Sequence, residues 1–218
     1  MVDFILFMVF SIMETMAMYY LMFRLFKFDM YPVSIVFASA VASFISYTNR
    51  NVYEIQSIDV LVQMFLMFMF VWLLFRVHPF YAGIMTCSTY LGYVIIQATC
   101  YFILEAIGIF EIKALTNNIV GTNLLQTLTA SSAWLLGWWI KKGRKGFDFV
   151  PHSQFVMVKM SKVNIMFIGM NALSVFVLSF VYNLFAHDNM KLVYIFFVLI
   201  LIMYCILYFS YKKDRSDD

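Results

Sequence analysis

Seven runs of apolar residues, each near the length a helix needs to cross a bilayer, constrain this chain more than any other feature. A hydrocarbon core of about 30 Å takes roughly 20 helical residues per crossing. The runs cover residues 4–26, 31–47, 58–75, 80–110, 119–140, 163–185 and 192–211. Spanning strands would need an alternating apolar pattern, which the chain lacks, so the spans are expected to be helices. The expected fold is all-α, a polytopic transmembrane bundle in one domain over 1–218. Hydrophobic residues make up 64% of the chain and charged residues 12%, which leaves too little polar surface for a water-facing globule. A soluble enzyme, a secreted disulfide scaffold and a disordered chain are excluded on that ground.

Lys and Arg set the expected orientation. With the N-terminus outside, the inner segments hold Arg24, Lys27, Arg76, Lys141, Lys142, Arg144, Lys145, Lys159, Lys162, Lys212, Lys213 and Arg215. Only Arg50, Lys113 and Lys191 are left outside. Seven spans, N-out and C-in, in the cell membrane, is the arrangement this bias selects. Asp3 replaces the basic start of a signal peptide, and the first apolar run outlasts a signal core, so the first helix is expected to remain in the mature chain.

The connection 141–162 begins KKGRKG, and Lys141, Lys142, Arg144 and Lys145 are expected to contact anionic lipid headgroups. Phe147, Phe149, Phe155, Val156 and Val158 supply an apolar side for a segment lying on the inner membrane surface, and Pro151 breaks any helix through it. Trp134, Trp138 and Trp139 fall where an interfacial aromatic belt belongs. Ser34, Ala38, Ala42 and Ser46 recur every four residues, and Ser88 and Gly92 form a second small pair, both suited to close helix packing. Pro32 and Pro79 sit at helix starts, where a missing N–H costs nothing. The third and seventh spans are almost wholly apolar and are expected to face lipid over much of their circumference.

Polar side chains at membrane depth are the natural site candidates. Glu14 lies mid-depth in the first span and Glu105 toward the outer end of the fourth. The ligand-binding candidates are Glu14, Arg50, Glu54, Gln97 and Glu105, with Asp59, Glu111 and Lys113 near the same outer mouth. Glu14 reads either as a carboxyl that fixes helix register or as one that meets a cation, a proton or the positive end of a ligand. Gln63, Gln97, Thr99, Gln126, Thr127 and Asn171 add hydrogen-bonding capacity inside other spans, and Gln97, Gln126 and Asn171 read as structural groups. Cys87, Cys100 and Cys205 all fall in apolar runs and read as packing residues. No zinc-type Cys/His spacing, Walker A, HExxH or GxSxG motif occurs, so no metal, cofactor or catalytic residue is expected. His78 and Cys87, nine residues apart, are the one Cys/His arrangement on a common side. One short basic cluster gives nucleic acid no footprint.

Several segments together are similar to a known family. They are a first span with an internal glutamate (SIMETMAMYYLMFRLFKF), a small-residue span ending SYTNR, and a helix ending WLLFRVHPFYAG. KKGRKGFDFVPHS then precedes the last two spans, which close on LYFSYKKD. In pattern and topology, over nearly the whole chain, this resembles the N-terminal membrane region of Gram-positive sensor histidine kinases of the peptide-pheromone-receptor type, those with a GHKL-type ATPase domain. The resemblance implies a non-catalytic sensory or regulatory module with a small, peptide-like ligand. It also implies a membrane signalling partner, either a histidine kinase or a second copy. No histidine follows His187 and no ATP-binding motif is present, so the expected object is a sensor region without its kinase. A chain ending at Tyr211 is then expected to keep ligand binding and lose its effect on the partner. Two other readings stay open. One is a transport component, either a substrate-binding subunit or a permease. The other is a membrane peptidase of a signalling-peptide system, although the basic, glycine-containing run before that family's histidine is missing.

Overall fold

A computed structural model describes residues 2–53, 55–107, 119–151, 162–185 and 189–215. Seven α-helices account for most of them: α1 Val2–Leu25, α2 Pro32–Tyr47, α3 Gln56–Leu73, α4 Pro79–Ala106, α5 Ile119–Lys142, α6 Lys162–Phe185 and α7 Asn189–Asp214. Four stretches are long and apolar enough to cross a membrane: Phe4–Leu25, Pro32–Val52, Pro79–Ala106 and Tyr194–Asp214. Shorter apolar stretches cover Ile58–Leu73 and Asn164–Leu178. Helix α5 has the length of a span but a polar first half, with Thr122, Asn123, Gln126 and Thr127. The fourth expected run reached residue 110, whereas α4 ends at Ala106; residues 108–118 lie outside the described residues.

Pro32 and Pro79 occupy helix starts as expected. His78 caps α4, its Nδ1 accepting the Phe80 N–H at 3.3 Å. Successive helices run in opposite directions. Phe4 of α1 meets Tyr47 at the finish of α2, while Phe23 and Phe28 meet Phe75 and Tyr31 at the opposite end. The bundle thus has a basic end, where α1, α3, α5 and α7 finish, and a far end. Lys27, Arg76 and Arg144 follow α1, α3 and α5 at the basic end, each with positive φ (47°, 57° and 51°). After α1 and α5 the left-handed residue closes the helix: Phe28 N–H reaches the Phe23 carbonyl at 2.9 Å, and Lys145 N–H reaches Ile140 at 3.0 Å.

Helix α1 sits among α2, α4 and α5, with Ala17, Tyr19, Met22 and Phe23 fully buried. The small-residue face of α2 is buried as its spacing predicts, through Ala38, Ala42 and Ser46. A close helix approach elsewhere was not marked in that way. Gly137 of α5 faces Tyr20 so tightly that an added Cβ would lie 2.6 Å from the ring. Gly137→Ala is therefore expected to cost about 1–3 kcal/mol through overpacking. A fall in thermal midpoint in detergent checks this, and an unchanged midpoint would mean that Tyr20 moves aside freely.

The start of the α5–α6 connection corrects the membrane-surface expectation for Phe147 and Phe149. Phe149 and Val150 are buried, and Phe149 packs against Phe26, Tyr81 and Phe167. Phe147 packs on Phe26, and its N–H donates to the Leu25 carbonyl at 2.8 Å. The free carbonyls at the end of α1 and the apolar rings draw this strand of chain inward, where both are satisfied. Phe155, Val156 and Val158 lie outside the described residues.

Lys213 departs most from its expected place. It was counted among the inner surface cations, yet it is only 6% exposed. Its Nζ donates to Asn164 Oδ1 at 2.8 Å and lies 3.4 Å from Tyr81 Oη. The rings of Phe80, Tyr81, Phe149 and Phe167 surround it, with centroids 4.5–5.8 Å away. Next to it, Asp214 Oδ1 accepts the Asp148 N–H at 2.6 Å. The last turn of α7 is thereby latched to α4, α6 and the α5–α6 connection.

Candidate functional site

Polar residues from five helices converge on two carboxyls in the far half of the bundle. Helix α2 does not stop at Tyr47 but continues as a π-helical turn, Thr48–Val52. Thr48 Oγ1 donates to the Phe44 carbonyl at 3.0 Å and Asn51 Nδ2 to Tyr47 at 3.3 Å, so the loosened turn keeps its backbone acceptors occupied. Widened turns of this kind re-aim side chains and recur at functional sites. Here the turn brings Asn49 and Arg50 beside Ser46 and over the first turn of α3.

Asp59 receives all three. Arg50 Nε lies 2.6 Å from Asp59 Oδ2, Ser46 Oγ 2.8 Å from the same oxygen, and Asn49 Nδ2 3.4 Å from Oδ1. Asp59 is 0% exposed, whereas the Arg50 side chain is 39% exposed. A buried carboxylate is tolerable only when donors fill its lone pairs, and the positive N-terminal end of α3 adds to them.

Glu14 forms the second half. It is half-buried at the middle of α1, with Tyr93 of α4 and Gln126 of α5 reaching its carboxyl. The charges of Arg50 and Asp59 act on it from the α2 and α3 side. Tyr90, one turn before Tyr93, feels the same three charged groups. The Tyr93 hydroxyl faces Glu14 more loosely than a well-formed hydrogen bond requires, and it is buried without a better-aligned partner. Five helices thus contribute to one polar cluster inside an apolar bundle.

The cluster joins Glu14 and Arg50 of the five sequence candidates. Gln97 lies one turn beyond Tyr93 along α4 and is half-buried. Glu105 is twelve residues past Tyr93 on that helix, about 18 Å further along the axis, and stands apart from the cluster. Glu54 lies outside the described residues. Gln63 and Asn171 hold helix carbonyls, through Ala42 at 3.0 Å and Phe167 at 2.6 Å. Tyr90, Tyr93 and Asn49 were missed by sequence reasoning. A signal did exist in the spacing of Thr86, Tyr90, Tyr93 and Gln97, which recur on one face of α4.

At the basic end Lys141, Lys142, Arg144 and Lys145 are all exposed. Lys142 and Lys145 lie over the rings of Trp138 and Trp139, at 5.0 and 4.5 Å. His78 and Cys87 do not form a pair. The imidazole caps its helix, while Cys87 is buried about 13 Å further along α4, beside Ser174. Among the described residues no three His, Cys, Asp or Glu side chains gather as a metal site.

The cluster offers a carboxyl at Glu14, a phenol hydroxyl with spare hydrogen-bonding capacity at Tyr93, an amide at Gln126 and a half-exposed guanidinium at Arg50. No protein-family model, curated protein or solved structure matches this chain.

Proposed function

We propose that the chain is a seven-span membrane module, N-out and C-in, that senses a small ligand from its outer face and acts through a membrane partner. The observation that carries this reading is the polar cluster shared by five helices, with Arg50 partly open at the far end. A ligand acts only by favouring one helix arrangement over another, and one seated here touches several helices at once. An amine or hydroxyl on the ligand suits Glu14, and an anionic group suits Arg50, as a short peptide would provide. The resemblance to the membrane region of peptide-pheromone-receptor kinases points the same way.

Protein purified gently from native membranes is expected to carry a small molecule that denaturation releases. Glu14→Gln is expected to lower its occupancy roughly tenfold, the loss of one charge-assisted hydrogen bond, while Glu105→Gln leaves it unchanged. Equal occupancy in both variants would sink the cluster as the binding site. Mass spectrometry of co-purifying proteins tests the output: a signalling kinase supports the sensory reading, and an ATPase subunit supports transport instead.

One observation favours that transport alternative. The hydroxyls of Tyr19, Ser39, Ser43, Thr86 and Thr89 are buried without hydrogen-bond partners, on α1, α2 and α4 between the cluster and the basic end. Such a line suits water or a polar substrate. Acidification of pyranine-loaded proteoliposomes under a pH gradient, abolished by Glu14→Gln, would move the assignment to transport.

A further inference from the structure

A cleft of about 430 Å³ opens on the perimeter of the bundle, between α1, the start of α2 and α5, toward the basic end. Met16, Tyr20, Ile35, Trp134, Leu135 and Trp138 line it, and its outer lip, Trp134, Leu135 and Trp138, is exposed. The volume is that of a small-ligand pocket, commonly about 300–1,000 Å³. Tyr20, one of its lining residues, is packed closely against Gly137 of α5.

Two cations lie over rings that line the cleft. Arg24, one helical turn beyond Tyr20, lies over the Tyr20 ring with its guanidinium carbon 5.2 Å from the centroid. Its Nε is buried without a hydrogen-bond partner. A donor on a permanent charge is costly to leave in that state, so an acceptor belongs beside it. Lys142 lies over Trp138 on the opposite wall. An apolar slot open to the bilayer, with a guanidinium and an ammonium at its interfacial end, matches an acyl chain that carries an anionic headgroup. Basic pockets between membrane helices bind anionic lipids by this combination.

We propose that this cleft is a binding site for one anionic phospholipid, with an acyl chain between α1 and α5 and the phosphate on Arg24 and Lys142. The inference requires that the helices sit in a bilayer and is independent of the sensory reading. Occupancy would brace α1 against α5, the two helices that carry Glu14 and Gln126.

Trp134 and Trp138 make the test direct. The full chain with Trp72→Phe and Trp139→Phe is reconstituted in phosphatidylcholine vesicles containing a small fraction of either dibrominated phosphatidylglycerol or dibrominated phosphatidylcholine. Brominated chains quench tryptophan on contact. Half-maximal quenching is expected at no more than about one-fifth as much brominated phosphatidylglycerol as brominated phosphatidylcholine, the preference that even one nearby basic side chain gives an anionic over a zwitterionic headgroup. Arg24→Gln with Lys142→Gln is expected to abolish that difference. Lys141→Gln with Lys145→Gln, which removes the same charge away from the cleft, is expected to keep it. Equal quenching by the two lipids in the parent chain would overturn the proposal without recourse to any Arg24 variant. So would equal loss in both charge-removal pairs, since that outcome means diffuse attraction to the basic surface.

Discussion

Arg50→Ala is expected to destabilise the protein by about 2–3 kcal/mol, and Asp59→Ala by much less. Removing one partner of a buried ion pair costs about 3–5 kcal/mol, because the other charge stays buried and uncompensated. The lower figure applies here because Arg50 is 39% exposed, and solvent screens a partly exposed pair. The two ends of the pair are unequal. Without Arg50, Asp59, which is buried in the parent protein, is left with only Ser46 and Asn49 as donors. Without Asp59, the guanidinium can turn toward the far end and be solvated. The double variant should therefore be more stable than Arg50→Ala alone. Thermal unfolding in detergent, followed by labelling of buried Cys87, reads this as a fall of roughly 5–10 °C for Arg50→Ala. Equal falls for the two single variants would mean that Asp59 does not depend on Arg50 for its burial.

The second large effect is at Lys213. Lys213→Ala removes a cation from among four rings together with its hydrogen bond to Asn164. Desolvated cation–π contacts and the cavity left behind together put the expected loss at about 2–4 kcal/mol. Lys213→Met keeps most of the packing but loses the charge and the hydrogen bond to Asn164, so about half of that fall should return. An alanine variant as stable as the parent would mean that the cage does not hold α7. The same contacts change how tail truncations must be read. A chain ending at Tyr211 loses the latch as well as the tail, so lost output from it reports a loosened basic end. A chain ending at Asp214 keeps Lys213 in its cage and the contact to Asp148, and so isolates the tail.

Helicity and the locations of the seven helices were legible in the sequence, because apolar length is a local property that a short window reports. The α2 packing face was legible for the same reason, since Ala38, Ala42 and Ser46 recur at helical spacing. Pro32 and Pro79 marked helix starts through the chemistry of the residue itself. Glu14 stood out because an ionisable group inside a long apolar run is rare, and Arg50 because it is a charge in the short connection after the second run. Asp59 and Gln126 also stood out as polar groups, but Tyr90 and Tyr93 did not, because tyrosine in an aromatic-rich chain carries little mark of what it faces.

Tertiary structure alone decided which of these groups meet. Glu14, Asp59, Tyr93 and Gln126 come from four helices, and their meeting depends on the rotation and depth of each helix against the others. The π-helical turn that aims Arg50 at Asp59 has no periodic signature in five residues. Composition likewise assigned Phe149 and Lys213 to the membrane surface by polarity and position, whereas packing at the basic end drew both inward. Sequence by itself thus determined that the chain forms long apolar helices with charge gathered at one end. Long-range contacts determined where polarity is concentrated inside the bundle, because that outcome depends on pairing between helices and not on the content of any one of them.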